Sequence, residues 1–355
     1  MNIDVVCTIG PASSSPEVVR ELLLGGMTVA RLNLSHGTHE SHREIIRHLR
    51  DTSSEIDMPI RIMGDLQGPK IRLGEVEGDG VLLEEGQPFE LVATPVTGNG
   101  HRANIDYPDI TGDIVSGAFI LINDGAVKLE VTEVNSERIL TKVIVGGHIS
   151  SNKSANFPGT KLNIPALTKK DQEDLAFLLE EGIDLIACSF IRQAAHLDQV
   201  RAVCRSLSGT IPKLVAKIET VEGVKNFRDI AALSDGIMIA RGDLGVELPF
   251  EQIPLIQKAL LKECRECGIY VITATQMLQS MIEEPVPTRA EVTDIFQAVQ
   301  DGTSAVMLSA ESSVGKYPIQ AVKVLKCVSV YAEEIARGQS YTLEDVYARV
   351  PFKKM

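Results

Sequence analysis

Short runs of apolar, β-branched residues recur along the chain, and each leads through a polar or glycine-bearing turn into an amphipathic stretch. The runs fall at Asp4–Thr8, Thr28–Leu34, Ile60–Leu66, Asp184–Phe190, Lys213–Glu219, Gly236–Arg241, Tyr270–Gln276 and Ser304–Ser309. Near-continuous apolar strands alternating with helices predict a parallel sheet covered on both faces. The stretches between carry helix signals. Pro16–Leu24 has a serine ahead of the proline and a glutamate in its first turn. Lys169–Glu181 follows Thr168 and stops at Gly182. Glu251–Cys267 repeats Ile253, Leu255, Ile256, Ala259 and Leu260 at helical spacing.

Eight such units predict an α/β fold, a closed (β/α)8 TIM barrel. A doubly wound sheet is the alternative, but it favours fewer strands and a glycine-rich turn after the first, which Thr8-Ile9-Gly10-Pro11 lacks. One unit is interrupted. From residue 74 to 157 the pattern changes to alternating strands broken at Glu77-Gly78-Asp79-Gly80, Gly98-Asn99-Gly100, Asn123-Asp124-Gly125 and Gly146-Gly147, without helical periodicity. This predicts a small β-rich, barrel-like domain inserted after strand three, on the end where barrel active sites sit, as a lid with hinges near Gly68-Pro69 and Pro158-Gly159. Residues 1–73 and 158–335 then make the barrel, and 336–355 a polar tail without a core pattern.

Composition narrows the partners. The 35 basic and 48 acidic residues leave a net charge of −13, a poor match to a nucleic-acid backbone. No apolar run reaches the length of a membrane span and no leader pattern opens the chain, so a cytoplasmic protein is expected. Six scattered cysteines suit a reducing compartment. Cys264 and Cys267 form a C-x-x-C, but no second ligand pair is spaced for zinc and the pair closes a helix, so they read as structural.

Function in a barrel comes from the C-terminal ends of strands. Those positions carry Arg31, Asn33 and Ser35 after strand two, Asp65, Leu66, Lys70 and Arg72 after strand three, and Lys217 with Glu219 at strand five. Arg241, Gly242 and Asp243 follow strand six, Thr275 strand seven, and Ser309 with Glu311 strand eight. Glu219 and Asp243 close successive strands, and oxygen-only ligation by few protein groups suits Mg2+ or Mn2+. Arg31, Arg72 and Lys217 add cations for phosphate. The set fits phosphoryl transfer and enolate stabilisation equally, and spacing does not separate them. Arg241 is open between a functional role and a structural ion pair. His36 and His39 sit in a polar helix start and read as capping or exposed.

Several of these segments resemble the pyruvate kinase family. They are Val6-Cys7-Thr8-Ile9-Gly10-Pro11-Ala12-Ser13, Arg31-Leu32-Asn33-Leu34-Ser35-His36-Gly37, Ala216-Lys217-Ile218-Glu219, Ala240-Arg241-Gly242-Asp243-Leu244-Gly245, Ala274-Thr275-Gln276-Met277-Leu278 and Pro287-Thr288-Arg289-Ala290-Glu291. The resemblance runs from residue 2 to about 335. It implies transfer of a phosphoryl group from phosphoenolpyruvate to ADP, giving pyruvate and ATP. It implies Arg31 on the substrate phosphate, Glu219 and Asp243 on a divalent metal, and Lys217 on the transferring group. It further implies Gly242 and Thr275 at the carboxylate, Ser309 and Glu311 in a proton relay, and Asn33, Arg72 and Lys153 at the nucleotide. Most relatives bind K+ through residues matching Asn33, Ser35, Asp65 and Leu66, with a Thr-Lys pair where this chain has Leu66-Gln67 and a Glu where it has Lys70. In the family, Leu, Gln and Lys there accompany independence from K+, an ammonium at Lys70 standing in for the ion.

Family members usually continue into a further domain with an effector site and part of a tetramer interface. The resemblance therefore implies absence of that domain here, no activation by fructose bisphosphate through it, and any homo-oligomer built through barrel faces. Two rival readings share the fold. An aldolase or lyase acting on pyruvate or phosphoenolpyruvate needs neither ADP nor Arg31, Arg72 and Lys153, and a non-catalytic sensor binds phosphoenolpyruvate without turnover.

Overall fold

The computed structural model describes residues 3–337 and, beyond them, Leu343 and Val346; the polar tail expected at 336–355 otherwise lies outside the described residues. Among these, the strands Asp4–Thr8, Val29–Asn33, Arg61–Asp65, Leu185–Cys188, Lys213–Ile218, Gly236–Ala240, Tyr270–Ala274 and Ala305–Leu308 close a barrel in chain order, the last beside the first. The ladders are parallel, with Asp4 opposite Ala305 and Cys7 opposite Leu308. Leu185–Cys188 and Gly236–Ala240 are buried at every position, as two-sided burial requires.

By contacts the chain falls into two compact units, residues 1–32, 42–62 and 261–355, and residues 33–41 and 63–260. In the first, Ser15 caps the helix Pro16–Gly25 by accepting from Val18 N–H at 3.4 Å. At the N-terminal ends of the strands, Asp4 collects Thr28 Oγ1 at 2.9 Å, Tyr270 Oη at 3.0 Å and the Arg61 guanidinium. That end of a barrel serves stability rather than chemistry.

In the second unit, Gly64 lets helix Lys169–Glu180 lie close on its strand: a Cβ there would stand 2.5 Å from both δ-carbons of Leu178. Helix Ile253–Cys267 starts later than its apolar pattern predicts, after a 3-10 turn at Phe250–Gln252. Pro254 is the reason, because its ring cannot tolerate a helical carbonyl four residues earlier.

Between the third and fourth barrel strands the chain builds a six-stranded sheet, ordered 155–156, 119–122, 127–134, 138–145, 88–92 and 102–104. A two-stranded ribbon pairs 147–149 with 81–83. The two short edges of the larger sheet are joined through residues 71–74: Ala155 N–H donates to Ile71 O at 3.0 Å on one side, and on the other Gly74 N–H donates to Asn104 O at 2.9 Å and Leu73 bridges Ile105. Its core is Phe89, Leu91, Ile120, Ile122, Leu129 and Val143 with their neighbours. One helical turn, Ile110–Asp113, interrupts what reads as a purely β segment.

The chain leaves the barrel after Leu66 and returns before helix Lys169–Glu180, and Asp171 joins the two crossings. Its fully buried carboxylate accepts Gly68 N–H on Oδ1 at 3.0 Å, and Thr168 N–H and Oγ–H on Oδ2 at 2.8 and 2.6 Å.

Candidate active site

The second unit gathers the acids and a lysine. Lys217, next to the end of its strand, has its ammonium 3.1 Å from Asp65 Oδ1, 3.0 Å from Glu219 Oε1 and 2.7 Å from Ser189 Oγ. Hydrogen bonds to Asp65 and Ser189 and the ion pair with Glu219 fix the group in space. Asp65 and Glu219 are buried, at 1% and 2% exposure, so neither has water to share its charge. Burial lifts the Glu219 carboxyl above the ordinary carboxylate range; Lys217 pulls it back down and the like charge of Asp243 adds to the rise. The other Glu219 oxygen accepts the Phe190 N–H at 2.6 Å.

Phe190 makes that bond from a left-handed backbone, φ 54°. A bulky residue there is strained, and such strain collects at functional sites. Gly68 faces the same turn, where a Cβ would lie 2.7 Å from Ser189 Cβ. Asp243, in helix Arg241–Glu247, is half-buried, with Lys70 Nζ 3.9 Å from its Oδ1. Arg241 donates to Gln257 Oε1 at 3.2 Å on the following helix, a neutral partner.

The loop after strand two belongs to the same unit. Leu34 N–H donates to Asp65 O at 3.0 Å, which brings Asn33 and Ser35 beside Asp65 and Leu66 along the backbone. Asn33 Oδ1 accepts the Ser35 N–H at 3.2 Å. His39 departs from a simple cap or exposed residue: its Nε2 lies 2.8 Å from buried Asp174, and its ring stacks on Phe177 at 4.5 Å. Thr38 is the residue that pairs with Ser41 at that helix start. Asp174 also takes Lys170 Nζ at 2.6 Å, and that ammonium reaches Leu34 O at 2.6 Å. At the base of the inserted sheet, Arg72 bridges to Ser154, its Nη1 donates to Asn152 O at 2.9 Å, and Leu73 N–H donates to Lys153 O at 2.8 Å. Arg72 and Lys153 are therefore neighbours across two chain segments.

The first unit holds the remaining candidates. Arg31 is buried and donates from Nη1 to Thr8 Oγ1 at 2.8 Å, while Thr8 passes its own proton to Leu308 O at 2.9 Å. Thr275 and Gln276 have φ of 68° and 55°, strain that marks this turn as it marks Phe190. Both oxygens of buried Glu311 accept backbone N–H groups, Leu278 at 3.1 Å and Ser309 at 2.7 Å. Glu311 thus sets the backbone of two strand-end turns.

The profile of the barrel domain of pyruvate kinase matches residues 1–322. The chain belongs to the pyruvate kinase family. It is 44% identical over 334 residues to pyruvate kinase 2 of Synechocystis sp., covering 93% of this chain and 56% of that protein. It is 43% identical over 332 residues to the pyruvate kinase of Geobacillus stearothermophilus, covering 93% and 57%. Among solved structures, a pyruvate kinase from Cryptosporidium parvum superposes with a TM-score of 0.90 at 39% identity, over 94% of this chain and 69% of that one. The chain spans little more than half the length of these curated relatives.

Membership of the pyruvate kinase family implies dependence on a divalent metal. The donors present fit one of the hard type. Among the described residues no three His, Cys, Asp or Glu side chains cluster as a ligand set. Glu219 and Asp243 instead offer carboxylate oxygens close enough that the Asp243 charge raises the cost of ionising Glu219, a cost that Mg2+ or Mn2+ would remove. No described helix is long and apolar enough to cross a membrane. Cys264 is buried and its thiol is pushed up to about 12, consistent with a structural C-x-x-C.

Two contributors escaped the strand-end reading, Ser189 and Phe190, which close strand four. The signal was available, since the same rule that selects Lys217 selects the residues after Cys188. Thr8, the partner of Arg31, closes strand one in the same way.

Proposed function

We propose that the chain catalyses the pyruvate kinase reaction of glycolysis, in the cytoplasm, moving a phosphoryl group from phosphoenolpyruvate to ADP. One ADP β-phosphate oxygen bonds to phosphorus as the bond from phosphorus to the enol oxygen breaks, and the enolate then takes a proton on its methylene carbon. The observation that carries this reading is the Lys217 ammonium, held by Asp65, Glu219 and Ser189 at the strand ends. A cation fixed before the reaction needs no reorganisation when charge builds on the transferring group and leaving oxygen. Arg31, braced by Thr8, binds the substrate phosphate. Gly242 and Thr275 receive the carboxylate, Thr275 beside the carbon to be protonated, and Ser309 with Glu311 lies on the proton's route. Asn33, Arg72 and Lys153 bind the nucleotide. Mg2+ or Mn2+ at Glu219 and Asp243, when bound, neutralises the substrate's carboxylate and enolate oxygens. Lys70, within ion-pair reach of Asp243, supports turnover that does not require K+ at the Asn33, Ser35, Asp65 and Leu66 positions.

The test is pyruvate formation from phosphoenolpyruvate and Mg2+, with and without ADP, for the native chain and Lys217→Met. ADP-dependent pyruvate that falls by about 1,000-fold or more in the variant is expected, since a preorganised charge of this kind contributes several kcal/mol. Pyruvate formed equally without ADP, or none with any nucleotide, overturns the assignment.

A further inference from the structure

A cavity of about 380 Å3 opens in the second unit, within the range of small-ligand sites. Its walls are both chain crossings of the inserted domain, residues 69–71 and 155–164, together with the turns after strands four and five and Glu247. Arg72, Lys153, Asn33, Lys217 and Asp243 do not line it. The residues placed at substrate and nucleotide thus lie outside its lining, while Lys70 and Phe190, the partners of Asp243 and Glu219, are part of it.

The apolar part of the wall is made by Ile71 and Phe157, both buried, with Ile164 and Phe190. The charges are unequal. Arg192 is buried, donates to Ile164 O at 2.7 Å and feels the opposite charge of Glu222. Lys70 lies by Asp243 at 3.9 Å. Lys161 and Lys225 stand at the rim, exposed, with no ion pair among the described residues. The remaining acid, Glu247, is half-buried; burial pushes its carboxyl up to about 7, against a backbone bond from Val221 and with Asp243 adding. At neutral pH it opposes the two lysines only in part.

We propose that this cavity is a binding site for a small organic anion with an apolar body, its charge at Lys161 and Lys225 and its ring or chain against Phe157, Ile164 and Phe190. A charged head on a hydrophobic body matches a wall with two unmatched cations over an aliphatic and aromatic floor. Such a ligand touches both crossings at once and so ties the inserted sheet to the turns after strands four and five. Phe190 lies between this cavity and Glu219, to which it donates.

Phenylacetate is the probe, with phenylacetamide as its uncharged counterpart, in ligand-observed NMR titrations of the native chain. Binding of phenylacetate, weakened about tenfold in Lys161→Met/Lys225→Met and about tenfold for phenylacetamide, is expected, a few-fold for each lysine. Hydrogen exchange at residues 155–164 should slow when phenylacetate is present. Both lysines are exposed, so unchanged melting confirms the variant folds. No phenylacetate binding up to tens of millimolar, equal binding of the amide, or equal binding by the double variant overturns the proposal. None of these readouts uses turnover, so they fail or succeed apart from the kinase reading.

Discussion

Asp171 offers the most direct perturbation of the inserted domain's attachment. Its buried carboxylate accepts one hydrogen from the outgoing crossing, at Gly68, and two from the returning one, at Thr168. Asp171→Ala leaves the buried Gly68 N–H without its acceptor, a cost of about 1–3 kcal/mol. It also removes the acidic half of the Thr168 capping box, a further ~1 kcal/mol. A total near 3 kcal/mol lowers the melting temperature by about 5 °C in a chain of this size. The distribution of the loss is the sharper test. Hydrogen exchange followed by mass spectrometry should quicken at Gly68 and Thr168 by ~5- to 100-fold, because local openings govern those amides. Asp171→Asn should loosen one crossing and spare the other, because an amide has a single oxygen to share between them. Exchange at both positions within twofold of the native chain, or a loss spread evenly over the barrel, would refute the clamp.

Thr8→Val keeps the volume of Thr8 and removes the acceptor for Arg31; the KM for phosphoenolpyruvate should rise by about 5- to 30-fold, and an unchanged KM would separate Arg31 from the substrate phosphate. Asp174→Asn removes the charge between His39 and Lys170, and should cost about 2 kcal/mol and raise the KM for ADP more than it lowers kcat; a fall in melting temperature alone would make that contact structural. Turnover at constant ionic strength should be indifferent to K+ and become K+-dependent in Lys70→Glu, and loss of native activity on omitting K+ would exclude Lys70 as the substitute. Glu247 has its folded pKa raised to about 7, so the stability it contributes is full below the ordinary carboxylate value and is lost as pH rises through 7. Glu247→Gln should therefore gain stability relative to the native chain at pH 8 compared with pH 5, by ~3 kcal/mol at most, and parallel pH profiles in denaturant melts would disprove the shift.

The barrel was legible because its strands are buried on both faces and so read as unbroken apolar runs; the window around Gly236–Ala240 has no polar position to confuse it. The inserted sheet was legible as β but not in its order. Its strands at 102–104 and 155–156 are too short to carry a period, and their pairing is set by contacts distant in sequence. The helix start at 253 was missed because apolar spacing continues through Pro254 although the hydrogen-bond ladder cannot.

The site divides along a similar line. Charged side chains at strand ends stand out against apolar strands, which is how Lys217, Glu219 and Asp243 were found. What holds them does not stand out. Ser189 serves through a hydroxyl and Phe190 through a backbone N–H, and neither residue type advertises chemistry. The same is true of Asp171 and Asp174, which look like ordinary helix-surface acids in a polar stretch until folding buries them. Charge placement along the chain thus locates the proposed reacting groups, while their aim depends on hydroxyls, amides and buried carboxylates whose partners lie far away in sequence, 152 residues for Lys217 and Asp65. A substitution at Ser189 or Asp171 should consequently disturb the geometry of Lys217 or of the crossings without altering any residue that a strand-end reading would select.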